Sequence, residues 1–139
     1  MRLFLDTSVL LAAAGSVNGS SHALFSRAAT QGWVLMGSPY ALNEVLRNLP
    51  KLPAAATTEW LRLRPQLTMV DDVVSLDRPV VFAASKDRPI LLTALAWADV
   101  LLTLDKADFG DVLGGTFYGL RVLLPYEFLG QERAAGRLS

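Results

Sequence analysis

The sequence predicts a single α/β domain, a sandwich of helices around a mainly parallel β-sheet, and three observations lead to that class. Short aliphatic runs alternate with helix-patterned segments along the whole chain. Most of these runs end in residues that cap helices or break strands. With 139 residues the chain has the size of one hydrophobic core, so residues 1–139 are read as one domain.

Residues 2–5, RLFL, are a short apolar strand. It ends on Asp6-Thr7-Ser8, all preferred N-cap types, ahead of a helix carrying Val9, Leu10, Leu11 and the alanines to Ala14. Gly15 to Ser21 is a small polar loop. Ser20 or Ser21 then caps a second helix, in which Ala23, Leu24, Arg27 and Ala28 recur at helical spacing until Gly32. WVLMGS, 33–38, is the second strand. Ser38-Pro39 has the form of a helix start, with Ser at the cap and Pro at the first position, and it launches YALNEVLRNL before Pro50 stops it. Residues 53–64 form another helix around Trp60, Leu61 and Leu63, and 67–70, LTMV, form a short strand. From Asp71 to Lys86 the pattern is ambiguous, because VVSL and VVFAA suit strand and helix equally. Asp87 and Pro89 open a helix through ILLTALAWA. DVLLT, 99–103, is almost wholly aliphatic, as a strand covered on both faces must be. LDKADFGD is a turn or short helix, GLRVLLP the last strand, and Pro125 starts a terminal helix through YEFLGQERAA.

Composition narrows the function. Just over half of the residues are apolar, and 13 basic residues balance 13 acidic ones. The chain lacks the uniform basicity of a general nucleic-acid binder, although a local basic rim suffices to hold RNA. There is no cysteine, which excludes disulfides, thiolate nucleophiles and sulfur-ligated zinc, and fits a reducing cytoplasm. Neither a secretory leader pattern nor an apolar run of about 20 residues is present, so no membrane insertion is expected. His22, the one histidine, is expected at the surface or edge of an early helix and not as a general base. Trp33, Trp60 and Trp97 read as core or dimer-contact residues.

In a parallel α/β sheet, functional groups gather beyond the carboxyl ends of the strands. That rule selects Asp6, Glu44, Asp87 and Asp105. Asp99 begins its strand and belongs to the opposite end. Asp108 and Asp111 lie near the selected edge, and Asp108 is the alternative to Asp105. Converging carboxylates raise one another's pKa unless a cation lies between them, and an all-oxygen donor set selects Mg2+ or Mn2+. Such a site without histidine or cysteine suits metal-assisted hydrolysis of a phosphodiester. Each acid also has a plainer role. Asp6 can cap its helix, worth about 1 kcal/mol, but Thr7 and Ser8 are available to cap in its place. Glu44 can pair with Arg47 one turn away, and Asp87 can cap the helix before Pro89. Ser8 and Thr103 are either hydroxyls that orient Asp6 and Asp105 or turn residues. Arg47, Arg88 and Lys106 flank the acids and are candidates to hold substrate phosphates.

LDTSVLL with Asp6, NEVLRNL with Glu44, KDRPILLTAL with Asp87, ADVLLTLDKADF with Asp105 and the closing GLRVLLPYEFL together resemble the PIN-domain family of metal-dependent nucleases, in order and over essentially the whole chain. The resemblance implies a three-layer sandwich with a five-stranded parallel sheet and an acidic pocket in which Asp6, Glu44, Asp87 and Asp105 bind Mg2+ or Mn2+. It also implies an endoribonuclease acting on RNA. Many family members of this size are VapC-type toxins of toxin–antitoxin pairs, so a homodimer and a cognate antitoxin are implied as well. The chain departs from the family at one corner: Thr-x-Asp-x-Asp-Phe is common there, whereas here Lys106 and Ala107 separate Asp105 from Asp108. That departure supports an alternative, a non-catalytic PIN-like domain that binds RNA or a protein. An aspartate-nucleophile phosphatase built on Asp6 ranks lower, because that pattern requires a second Asp where this chain has Ser8.

Overall fold

Every residue of RLFL after Arg2 is fully buried, and the run becomes β1 (Arg2–Leu5), a strand with neighbours on both sides. The computed structural model describes residues 1–76 and 88–139. Within them β2 (Val34–Gly37), β3 (Thr68–Met69), β4 (Val100–Leu102), β5 (Thr116–Phe117) and β6 (Leu120–Leu123) complete one sheet in the order β3-β2-β1-β4-β6-β5. All neighbouring pairs are parallel except β5 with β6. The mainly parallel five-stranded sheet is therefore present, extended by one two-residue antiparallel edge strand that the sequence reading did not include. Its turn is Tyr118-Gly119, both with positive φ, at 50° and 87°. This is the geometry a two-residue hairpin demands, and Tyr is an unusual residue to adopt it.

The helices are α1 (Thr7–Gly15), α2 (Ser20–Gln31), α3 (Pro39–Asn48), α4 (Ala54–Leu63), α5 (Arg88–Trp97), α6 (Lys106–Phe109) and α7 (Pro125–Ala134). Ser38 caps α3 by accepting from the Ala41 N–H, with Pro39 at the first position, as the sequence predicts. Gly32 ends α2 in the left-handed conformation, its N–H shared by the Ala28 and Ala29 carbonyls. The expected serine cap of α2 is absent: Gly19 occupies the cap and supplies no side chain. α1 packs on α2, α3 and α4, while α5 lies against β1 and β4. With Leu3, Phe4, Leu5, Val100, Leu101 and Leu102 all inaccessible, both faces of the central strands are covered. Trp33 and Trp60 are core residues, and Trp33 meets Phe128 of α7 edge-on at 5.1 Å between ring centroids. Trp97 is partly exposed and donates its indole N–H to the Asp71 carbonyl. Among the described residues no helix is long and apolar enough to cross a membrane.

The strand order locates the site. From β1 the chain runs outward to β2 and β3 on one side, then crosses to β4 and β6 on the other, so the order reverses between β1 and β4. A cleft outside the carboxyl ends of these two strands is where such sheets bind their ligands.

Candidate functional site

Asp6 sits at that reversal. The register of β1 against β4 continues into its backbone, whose N–H donates to the Leu102 carbonyl at 3.0 Å. Its side chain is almost fully buried. Oδ1 accepts the Thr7 N–H at 2.8 Å, and Oδ2 accepts two hydroxyls, Ser8 Oγ at 3.0 Å and Thr103 Oγ1 at 2.8 Å. Asp6 is thus itself the cap of α1; neither Thr7 nor Ser8 relieves it of that role. Capping and ligation are nevertheless compatible, because an ionised carboxylate offers about four lone-pair sites and three are taken.

The two hydroxyls are aimed by the loop after β4. Ser8 Oγ accepts the Leu104 N–H and Thr103 Oγ1 accepts the Asp105 N–H, both at 3.0 Å. Each oxygen receives a backbone proton and directs its own proton to Asp6, so the ends of β1 and β4 are cross-linked through one carboxylate oxygen. Burial holds the Asp6 carboxyl above its ordinary pKa. The bonds from Thr103, Ser8 and the Thr7 N–H oppose that rise, and the nearby Glu44 charge adds to it.

Glu44, half-buried on α3, reaches this corner through Thr7, whose hydroxyl donates to Glu44 Oε1 at 3.0 Å. Sequence reasoning missed this contact; the residues lie 37 positions apart, and no local pattern links them. Asp105 follows β4 as expected, but its Oδ1 accepts the Asp108 N–H at 2.9 Å and caps the short α6. Asp108 lies half-buried within α6. Asp99 is at the opposite sheet edge, where it accepts from the Arg2 N–H and guanidinium, and these bonds lower its pKa. Asp87 lies outside the described residues.

On α3, Arg47 lines an open groove of about 530 Å³ with Tyr40, Asn43 and Leu46. Lys106 is exposed at the start of α6, and Arg88 opens α5. His22 corrects an expectation: it is buried on α2, not superficial. Its Nε2 lies 3.0 Å from Glu59 Oε1 on α4, and Glu59 also binds Arg62. Bonds from Arg62 and then His22 lower the Glu59 pKa.

Among the described residues, no group of three or more histidine, cysteine, aspartate or glutamate side chains is arranged to hold a metal. Asp6 and Glu44 alone nevertheless fit one in donor chemistry. They are hard oxygen ligands, close enough for the Glu44 charge to raise the Asp6 pKa, and Mg2+ commonly takes one or two carboxylates and fills its shell with water and phosphate oxygens.

No family model matches this chain, and comparison with curated proteins finds no relative. Among solved structures the chain is similar to the crystal structure of VapBC2 from Rickettsia felis bound to a DNA fragment from their promoter. The TM-score is 0.63 at 16% identity, over 88% of this chain and 97% of the matched one. At that identity the likeness establishes a shared α/β fold.

Proposed function

We propose that this chain is a metal-dependent endoribonuclease of the PIN type, the toxin of a toxin–antitoxin pair that acts in the cytoplasm. The single observation that carries the reading is the Asp6–Glu44 pair at the reversal of strand order, a buried carboxylate with raised proton affinity beside a second acid from another helix. Asp6 and Glu44 would hold Mg2+ or Mn2+, with Asp87 and Asp105, or Asp108 in its place, as further ligands. When bound, the ion would acidify the attacking water and offset charge on the leaving oxygen. Ser8 and Thr103 hold the Asp6 carboxylate in one orientation. Arg47, Arg88 and Lys106 would take phosphates of the RNA strand. The fold shared with the VapBC2 structure, added to the sequence resemblance to VapC-type toxins, supports a protein antitoxin as partner. Symmetry favours a homodimer.

The test is cleavage of a labelled RNA with Mn2+ by the native chain, Asp6→Asn and Glu44→Gln. Cleavage by the native chain alone, abolished by a chelator, supports the reading; cleavage that survives Asp6→Asn overturns it.

A second reading has its own support. Lys106 and Ala107 separate Asp105 from Asp108, a departure from the common corner that favours a PIN-like domain binding RNA or a protein without cutting. RNA retention without metal, and no cleavage with it, would select that reading. A phosphatase with Asp6 as nucleophile is disfavoured, because both carboxylate oxygens already accept hydrogen bonds in a nearly inaccessible position.

A further inference from the structure

Thr7 touches both members of the carboxylate pair. Its backbone N–H donates to Asp6 Oδ1 and its hydroxyl to Glu44 Oε1, at 2.8 and 3.0 Å. The two acids are held very unequally. Asp6 is fixed by three donors from Thr7, Ser8 and Thr103. Among the described residues, the Glu44 carboxylate accepts one hydrogen bond, from Thr7. Glu44 carries a long, flexible side chain, and losing its bond would free its position more than it would lower stability. The Thr7 hydroxyl is available for this because Asp6, and not Thr7, caps the helix. Branching at Cβ restricts the side-chain rotamer, so the hydroxyl is a stiff arm at the first turn of α1.

We propose that Thr7 is a positioning residue whose hydroxyl sets where the Glu44 carboxylate stands relative to Asp6. Its consequence for metal binding rests on the reading of these two acids as a metal pair; the tether itself does not.

Two measurements separate the claims. Carbon-13 relaxation of the Glu44 side chain in the metal-free protein reads the tether directly, in the native chain, Thr7→Val and Thr7→Ser. The side chain is ordered in the native and Ser proteins and mobile in the Val protein; equal order in all three overturns the proposal. Calorimetric titration with Mn2+ then reads the consequence. Thr7→Val weakens binding about tenfold or more, the usual effect of removing a group that orients a ligand, whereas Thr7→Ser restores most of it. Equal affinity in Val and native proteins overturns the positioning role. A native chain that binds no Mn2+ contradicts the proposed metal pair, and the relaxation result alone then decides the tether.

Discussion

Replacing Thr103 by valine keeps volume and β-branching and removes one oxygen from the centre of the site. Thr103 is fully buried, and its hydroxyl accepts from Asp105 N–H at 3.0 Å while donating to Asp6 Oδ2 at 2.8 Å. A hydrogen bond to an ionised group is worth about 1.5–3 kcal/mol, and an orphaned, partly buried N–H costs about 1 kcal/mol more. Thr103→Val should therefore lower unfolding free energy by roughly 2.5–4 kcal/mol near neutral pH. The loss should depend on pH with a definite sign. Folded Asp6 binds its proton more tightly than the unfolded chain does, so its ionisation erodes stability as pH rises above the unfolded value. Removing the hydroxyl raises the folded pKa further and extends that erosion to higher pH. In acid, where Asp6 is protonated in both states, the difference shrinks toward about 2 kcal/mol, a neutral hydrogen bond plus the orphaned Asp105 N–H. Urea unfolding of the native chain, Thr103→Val and Thr103→Ser at neutral and acidic pH measures this, with Ser recovering most of the loss. A penalty under about 0.5 kcal/mol, or one equal at both pH values, would refute the role given to this hydroxyl.

Asp6→Asn removes the titrating group, so stability should change less between about pH 4 and neutrality than in the native chain, as thermal melts across that range will register. Asp105 has two roles that substitutions separate: Asn retains the cap at nearly native stability and Ala costs about 1 kcal/mol, while both abolish cleavage if Asp105 is also a ligand. Phe128→Ala should cost about 3–5 kcal/mol in urea unfolding and shift Trp33 emission to the red, because it empties the space beside that ring.

The sequence revealed most where one residue served one local purpose. RLFL, WVLMGS and the aliphatic DVLLT each became a parallel strand, because burial on both faces leaves an unbroken apolar run. Ser38-Pro39 and Gly32 marked helix ends through backbone chemistry that acts over a few residues. β5 escaped notice because its hairpin turns on Tyr118-Gly119 and lacks the Asn-Gly or Asp-Gly that signals such turns. The burial of His22 has no local signature, because its partner Glu59 belongs to a different helix. The same applies at the site. Asp6 and Ser8 are neighbours in the sequence, whereas the bond from Thr103 to Asp6 depends on how β1 meets β4, and the link from Thr7 to Glu44 on how α1 meets α3. Asp105 shows the converse, a carboxylate selected for its place after β4 that also serves the turn it stands in.

Whether Asp6 and Glu44 form a cation site is read by calorimetric titration of Mn2+ into the native chain, Asp6→Asn and Glu44→Gln. The native chain should bind, and both variants, still folded, should not. Absence of binding in the native chain, or affinity unchanged by Asp6→Asn, would contradict a cation site there.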